Sequence, residues 1–255
     1  MIPVLMTLEE RVAPAQLPLT RRASQKGLTL VLGLPLVFTV VSALVAAHPA
    51  VAQESWEKYK VDAVKVEQRP RIDGVLDEAV WQGAAVIDQF VQQEPDEGAP
   101  ATEKTEVRVL YDGRSLFLGV RAFDSNPEGV VATEMRRDGD RILDEDNFQV
   151  ILDTFMDRKT AYMFVVTPLG AQLDQQVFDE GGRDRGANGV NRDWDGVWSV
   201  ATSRAPGQWV AEIEIPMVTL RFPDADPQSW GINFMRTFAA RTSRCSGRQF
   251  PRRSA

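Results

Sequence analysis

Trp194 and Trp198 stand four residues apart, and Asp193 and Asp195 flank the first of them. An indole offers a wide flat apolar face with one N–H donor at its edge. A carboxylate accepts strong hydrogen bonds from hydroxyls. Together these residue types suit a ligand with a flat apolar face and hydroxyls around its rim, and they are the candidate ligand-binding set. Trp194, set between two acids, reads as the more exposed ring, and Trp198 also admits a core role. Trp81, Trp209 and Trp230 read as core, the first on a short helix and the others in apolar alternation.

Covalent chemistry has few residues to work with. The chain of 255 residues has one histidine, His48, and one cysteine, Cys245. His48 lies ahead of the expected folded region. Ser-His-Asp and Cys-His catalysis, histidine-ligated metals and an internal disulfide are therefore excluded. Glu212 with Glu214, and Asp153 with Asp157, are close carboxylates, but such pairs are common in an acidic chain and do not by themselves make a glycosidase. No P-loop or dinucleotide fingerprint occurs. The net charge is −7, and residues 53–236 hold 20 Lys and Arg against 34 Asp and Glu. That balance excludes a nucleic-acid partner, which requires a basic face. A binding protein is expected, not an enzyme.

The elements that would position these residues are strands. Period-two alternation runs through 105–111, 115–123, 147–153, 160–166 and 208–216, and 233–235 begins one more strand. In 208–216, Trp209, Ala211, Ile213 and Ile215 share one face. In 147–153, Phe148, Val150 and Leu152 share the buried face while Gln149 and Asp153 point away. Asp112-Gly113, Asn126-Pro127, Asp138-Gly139 and Pro206-Gly207 punctuate the runs. The expected fold is all-β, an antiparallel sandwich of jelly-roll or immunoglobulin-like type with one short helix at 77–82. Residues 92–102, with Pro95 and Pro100, read as a loop, and the Gly-, Arg- and Asp-rich stretch 179–193 as a long loop.

The two ends read differently. Arg21, Arg22 and Lys26 precede an apolar run over 28–47, and Ala50-Val51-Ala52 follows, a pattern for export with cleavage before Gln53. A retained membrane-spanning helix is the alternative. Residues 1–52 are thus set aside as an N-terminal extension and signal peptide, and the domain spans 60–236. The tail 237–255 carries Arg241, Arg244, Arg248, Arg252 and Arg253 and no acid. It reads as an irregular basic tail, from a frameshift or truncation or as a basic arm. Export places the protein in the periplasm or at the outer membrane of a Gram-negative bacterium.

Four stretches in order resemble carbohydrate-binding module family 9. They are Arg71-Ile72-Asp73-Gly74-Val75-Leu76-Asp77-Glu78-Ala79-Val80-Trp81; Val107 to Asp112 leading into Leu116-Phe117-Leu118; Asp144-Glu145-Asp146-Asn147-Phe148-Gln149-Val150-Ile151-Leu152-Asp153; and Glu212-Ile213-Glu214-Ile215-Pro216 followed by Trp230-Gly231-Ile232-Asn233-Phe234. The resemblance implies a sandwich that binds a glycan or sugar end, in a polysaccharide-utilisation or glycosyl hydrolase-associated system. It implies two tryptophans clamping the sugar, and the position matching one of them is Leu143 here. It also implies structural calcium held by loop oxygens, for which Asp124, Asp144, Asp146 and Asp174 are the candidate ligands, with Asp138 and Asp140 nearby. Leu152-Asp153-Thr154-Phe155-Met156-Asp157, Trp194-Asp195-Gly196-Val197-Trp198 and Leu220-Arg221-Phe222 are similar to the subgroup in which the module precedes an outer-membrane β-barrel. On that reading the chain is a periplasmic interaction or gating domain without a sugar site.

Overall fold

A computed structural model describes residues 4–8, 60–178, 189–239 and 243–247. The chain divides into a unit of Met1–Glu10 with Lys60–Ala255 and a unit of Arg11–Tyr59. The second unit lies outside the described residues, and so do the basic and apolar residues of the expected export signal.

Fourteen strands are described: β1 (Val4–Leu8), β2 (Lys60–Asp62), β3 (Val64–Lys65), β4 (Phe90–Glu94), β5 (Thr105–Tyr111), β6 (Ser115–Phe123), β7 (Asn147–Asp153), β8 (Thr160–Val166), β9 (Gln172–Phe178), β10 (Val190–Asn191), β11 (Ser199–Ala205), β12 (Gln208–Pro216), β13 (Gln228–Phe238) and β14 (Ser243–Gly247). The one α-helix among the described residues is α1 (Ala79–Gln82). A first sheet runs β10-β9-β8-β7-β13-β1-β2, with β14 joining β13 to β4, and a second runs β11-β12-β6-β5-β3. Pairing is antiparallel except for β1 with β2 and β3 with β5. The fold is an all-β sandwich with one short helix, as the alternation predicts.

The core lies where the alternating apolar faces meet. Phe148, Val150, Leu152, Phe164 and Phe234 of the first sheet pack with Val109, Leu118, Trp209, Ile213 and Ile215 of the second. Burying each such side chain contributes about 1.5–3 kcal/mol. The outer face of the second sheet is covered as well: Trp81 of α1 packs with Phe117, Leu110 and Val66. Gly119 makes room for it, since a Cβ there would lie 2.9 Å from Trp81 Cζ3. The outer face of the first sheet carries Ile151, Met163, Val165 and Leu173, on which Ile142 and Leu143 of the 131–146 loop pack.

The five long runs of alternation become β5, β6, β7, β8 and β12. Other regions depart from expectation. Residues 4–8, set aside with the extension, form β1 between β13 and β2. β4 occupies the start of the expected 92–102 loop, with Phe90 and Gln92 buried. β10 lies inside the expected 179–193 loop, whose residues 179–188 are outside the described set. β13 continues to Phe238, and β14 turns part of the expected irregular tail into sheet. A strand flanked on both sides is held by main-chain hydrogen bonds, so β14 needs no apolar alternation to form.

Candidate ligand-binding site

The segment 192–198 leaves β10 in the first sheet and enters β11 in the second, crossing the side of the sandwich. Trp194 is half-buried; its ring tilts against Tyr162 at 4.9 Å between centroids and meets Phe164 at 5.8 Å. Trp198 is only 5% exposed and lies edge-on to Phe164 at 5.3 Å. Its indole Nε1–H donates to Asp174 Oδ1 at 3.0 Å, and the Gly196 N–H donates to Asp174 Oδ2 at 2.5 Å. Arg137 Nη2 donates to Asp174, Asp195 and the Gly196 carbonyl at 2.5, 2.7 and 2.7 Å. Burial pushes the Asp174 carboxyl up, against the pull of Trp198, Gly196 and Arg137. The arrangement fastens the crossover to β9. Trp198, expected to stack on a ligand, here packs edge-on to Phe164 and spends its N–H on Asp174. Asp193 and Asp195 stay exposed.

The four expected calcium ligands do not gather at one point among the described residues. Asp124 accepts the Asn126 N–H at 2.8 Å and lies 3.5 Å from the Arg236 guanidinium. Asp146 accepts the Val131 N–H at 2.9 Å. Asp174 serves the crossover, and Asp144 is exposed to solvent. Among the described residues no three His, Cys, Asp or Glu side chains gather to hold a metal. Calcium requires six to eight oxygens around one point. N–H donors and guanidinium groups occupy three of these carboxylates, so the four do not fit the ion.

A different set comes together on the outer face of the first sheet. On β7, Gln149 points to that face, opposite Met235 of β13 and Val165 of β8. One step along, Gln175, Met163, Ile151 and Asn233 stand in register across β9, β8, β7 and β13. Thr237 follows on β13, opposite Asn147. Gln149, Gln175, Asn233 and Thr237 are 3%, 4%, 6% and 7% exposed. Gln149 Oε1, Gln175 Oε1, Asn233 Oδ1 and Thr237 Oγ1 nevertheless have no hydrogen-bond partner. A buried polar atom left without a partner costs about 1–3 kcal/mol. Four on one face mark a surface that a polar ligand would complete.

The 131–146 loop lies over this face and is held by the acidic stretch at its own end and by Asn147 that follows it. Glu145 accepts the N–H groups of Thr133 and Glu134 at 2.6 and 3.0 Å. Burial pushes its carboxyl up, but those N–H groups, the Thr133 hydroxyl and Arg141 outweigh burial and leave it below the usual range. Asn147 Nδ2 donates to the carbonyls of Ile142 and Glu145 at 2.9 and 2.8 Å. Chemically the face is amide-rich and bordered by Ile142, Leu143, Ile151 and Met163, with Asp153 at its end accepting the Asp157 and Arg158 N–H groups at 3.2 and 2.8 Å. It suits hydroxyl groups on an uncharged ring. Reading outward strand positions as solvent hides these residues in the sequence. The available signal was their type: amides and a threonine where a solvated face would carry Lys, Glu or Asp.

A family model described as "Carbohydrate family 9 binding domain-like" matches residues 72–246, a span that includes the Asp73-Gly74 turn, the whole amide face and most of β14. No curated protein matches the chain. Among solved structures, a candidate carbohydrate-binding protein from Bacteroides uniformis is 17% identical, with a TM-score of 0.55, over 72% of this chain and 87% of that one. A family 9 carbohydrate-binding module from Caldicellulosiruptor kristjanssonii in complex with cellotriose is 15% identical, with a TM-score of 0.48, over 72% of this chain and 82% of that one. At these identities the likeness concerns the fold.

Proposed function

The chain belongs to the carbohydrate family 9 binding domain-like family, and from that premise we propose that it is a carbohydrate-binding module whose ligand is held on the outer face of the first sheet, beneath the 131–146 loop. The observation that carries the placement is the set of buried, unpartnered oxygens of Gln149, Gln175, Asn233 and Thr237 on that one face. Ring hydroxyls satisfy such atoms, and Leu143 and Met163 border them with apolar surface. The role proposed is binding without turnover, as the binding-domain family suggests.

Titration calorimetry against neutral oligosaccharides, with cellobiose, xylobiose and N,N′-diacetylchitobiose as the first three, tests the reading. Gln149→Ala and Asn233→Ala are each expected to weaken the binding that is found by about tenfold, the effect of one lost hydrogen bond that leaves its partner buried. Full affinity in both variants sinks the placement.

The protein is also proposed to work outside the cytoplasm. The support is Arg21, Arg22 and Lys26 ahead of the apolar run 28–47 and Ala50-Val51-Ala52. Mass spectrometry of the protein from a fractionated Gram-negative host is expected to find a periplasmic form beginning at Gln53. An intact N-terminus in the cytoplasmic fraction counts against it.

A further inference from the structure

We infer that Asn147 fixes the hydrogen-bonding polarity of the amide face, making it an acceptor surface that holds its ligand through donated hydroxyl protons. The inference rests on the binding face proposed above and names what that face reads. An amide side chain has a donor end and an acceptor end of nearly equal size, so a lone Gln or Asn can turn either toward a ligand. Gln149 has no such freedom. Asn147 Nδ2 donates to two main-chain carbonyls, those of Ile142 and Glu145, at 2.9 and 2.8 Å. Turning the Asn147 amide over would set its oxygen against both carbonyls, so Nδ2 must face them and Oδ1 must face Gln149. Gln149 Nε2 then donates to Asn147 Oδ1 at 2.9 Å. With its donor end engaged, Gln149 presents Oε1, which has no partner.

Gln175 is turned the same way by a different neighbour. Its Nε2 donates to Met163 Sδ at 3.1 Å, leaving Oε1 without a partner. Asn233 also leaves Oδ1 unpartnered on this face. Three amide oxygens therefore await donors, and the Asn147 relay holds the first of them to that role. A sugar hydroxyl meets this demand by donating. An ester oxygen, an ether oxygen or a sulfate meets it at no point, because each only accepts. Asn147 is thus a positioning residue: it does not need to touch the ligand to decide which end of Gln149 the ligand meets.

The experiment uses the full chain and D-glucose, cellobiose and N-acetylglucosamine as probes. For each sugar that binds, its monodeoxy and monodeoxyfluoro derivatives are titrated. Fluorine keeps a weak acceptor and removes the donor. At the hydroxyl that meets Gln149, deoxy and deoxyfluoro derivatives are both expected to lose about tenfold in affinity. In Asn147→Ser, which releases the relay, the derivatives are expected to lose less than threefold at that position. Gln149→Lys, which offers only donors, is expected to abolish binding. If deoxyfluoro derivatives bind like the parent sugar, or if folded Gln149→Lys binds as well as the native protein, the polarity is wrong while the binding face stands. If none of the three sugars binds, the functional reading fails and takes this inference with it. Thermal melts of the two variants separate loss of folding from loss of affinity, and the comparison between derivatives is made within each folded variant.

Discussion

The indole Nε1–H of Trp81 donates to Glu212 Oε1 at 3.1 Å, joining α1 to the middle of β12 across 131 residues of sequence. The other carboxylate oxygen accepts the N–H groups of Asp73, Gly74 and Val75 at 2.9, 2.8 and 3.2 Å. Gly74 has φ +86°, and a Cβ there would lie 2.9 Å from the Thr202 carbonyl carbon. The Asp73-Gly74 turn with Trp81 seven residues later is thus a clasp around one buried carboxylate. Its spacing serves the fold, and the motif by which the family is most easily seen lies on the sheet opposite the proposed ligand face.

Removing that carboxylate leaves three donors without an acceptor, since the Val75 N–H also donates to Asp73 Oδ1 at 3.1 Å. Glu212→Ala is expected to destabilise the protein by about 3–5 kcal/mol in urea unfolding, and Glu212→Gln by less, because one amide oxygen still accepts. Sugar affinity, measured on the folded fraction, is expected to stay unchanged in both.

A second expectation concerns pH. Glu134 accepts the N–H groups of Met135 and Arg136 at 3.1 and 3.0 Å, and the Arg136 guanidinium reaches both of its oxygens at 3.2 Å. The guanidinium first, and then the main-chain N–H groups, lower this carboxyl from 4.5 to about 2. A lowered carboxyl stabilises the folded state fully above its ordinary value, and the contribution is lost as pH falls through the lowered one. The stability advantage of the native protein over Glu134→Gln is therefore expected to be constant above pH 4.5 and to shrink steadily toward pH 2. An advantage that does not change across this range contradicts the pairing.

The crossover tryptophans are expected to matter for stability alone. Trp198→Ala empties a buried site against Phe164 and removes a donor from Asp174, for a loss of about 3–5 kcal/mol. Trp194→Ala, at a half-buried ring, is expected to cost less. Neither change is expected to move glycan affinity by more than twofold. A tenfold loss in a folded Trp194→Ala protein would return the ligand to the crossover.

The fold was legible where burial imposes a period of two. Phe148, Val150 and Leu152 alternate cleanly because one face of β7 meets the second sheet, and Trp209, Ala211 and Ile213 do the same on β12. β9 was less legible: Leu173 and Val177 share the outer face with Gln175, while Asp174 turns inward to receive Trp198, so polar and apolar types mix on both faces. β14 carries no period because its neighbours hold it through the main chain. The site escaped for a related reason. Alternation says which way Gln149 points, but not that the 131–146 loop folds back over that face and buries it. Among the carboxylates that looked like chemistry, Asp174 holds the crossover, and Glu145 and Asp146 hold the loop.

The side-chain amide resonances of Gln149, Gln175 and Asn233 give the most direct measurement. In a ¹⁵N-labelled protein titrated with a neutral oligosaccharide that binds, these NH₂ signals are expected to shift in proportion to occupancy, while the indole N–H of Trp194 stays in place. A shift of the Trp194 indole with the three amides unmoved would contradict a ligand on the outer face of the first sheet.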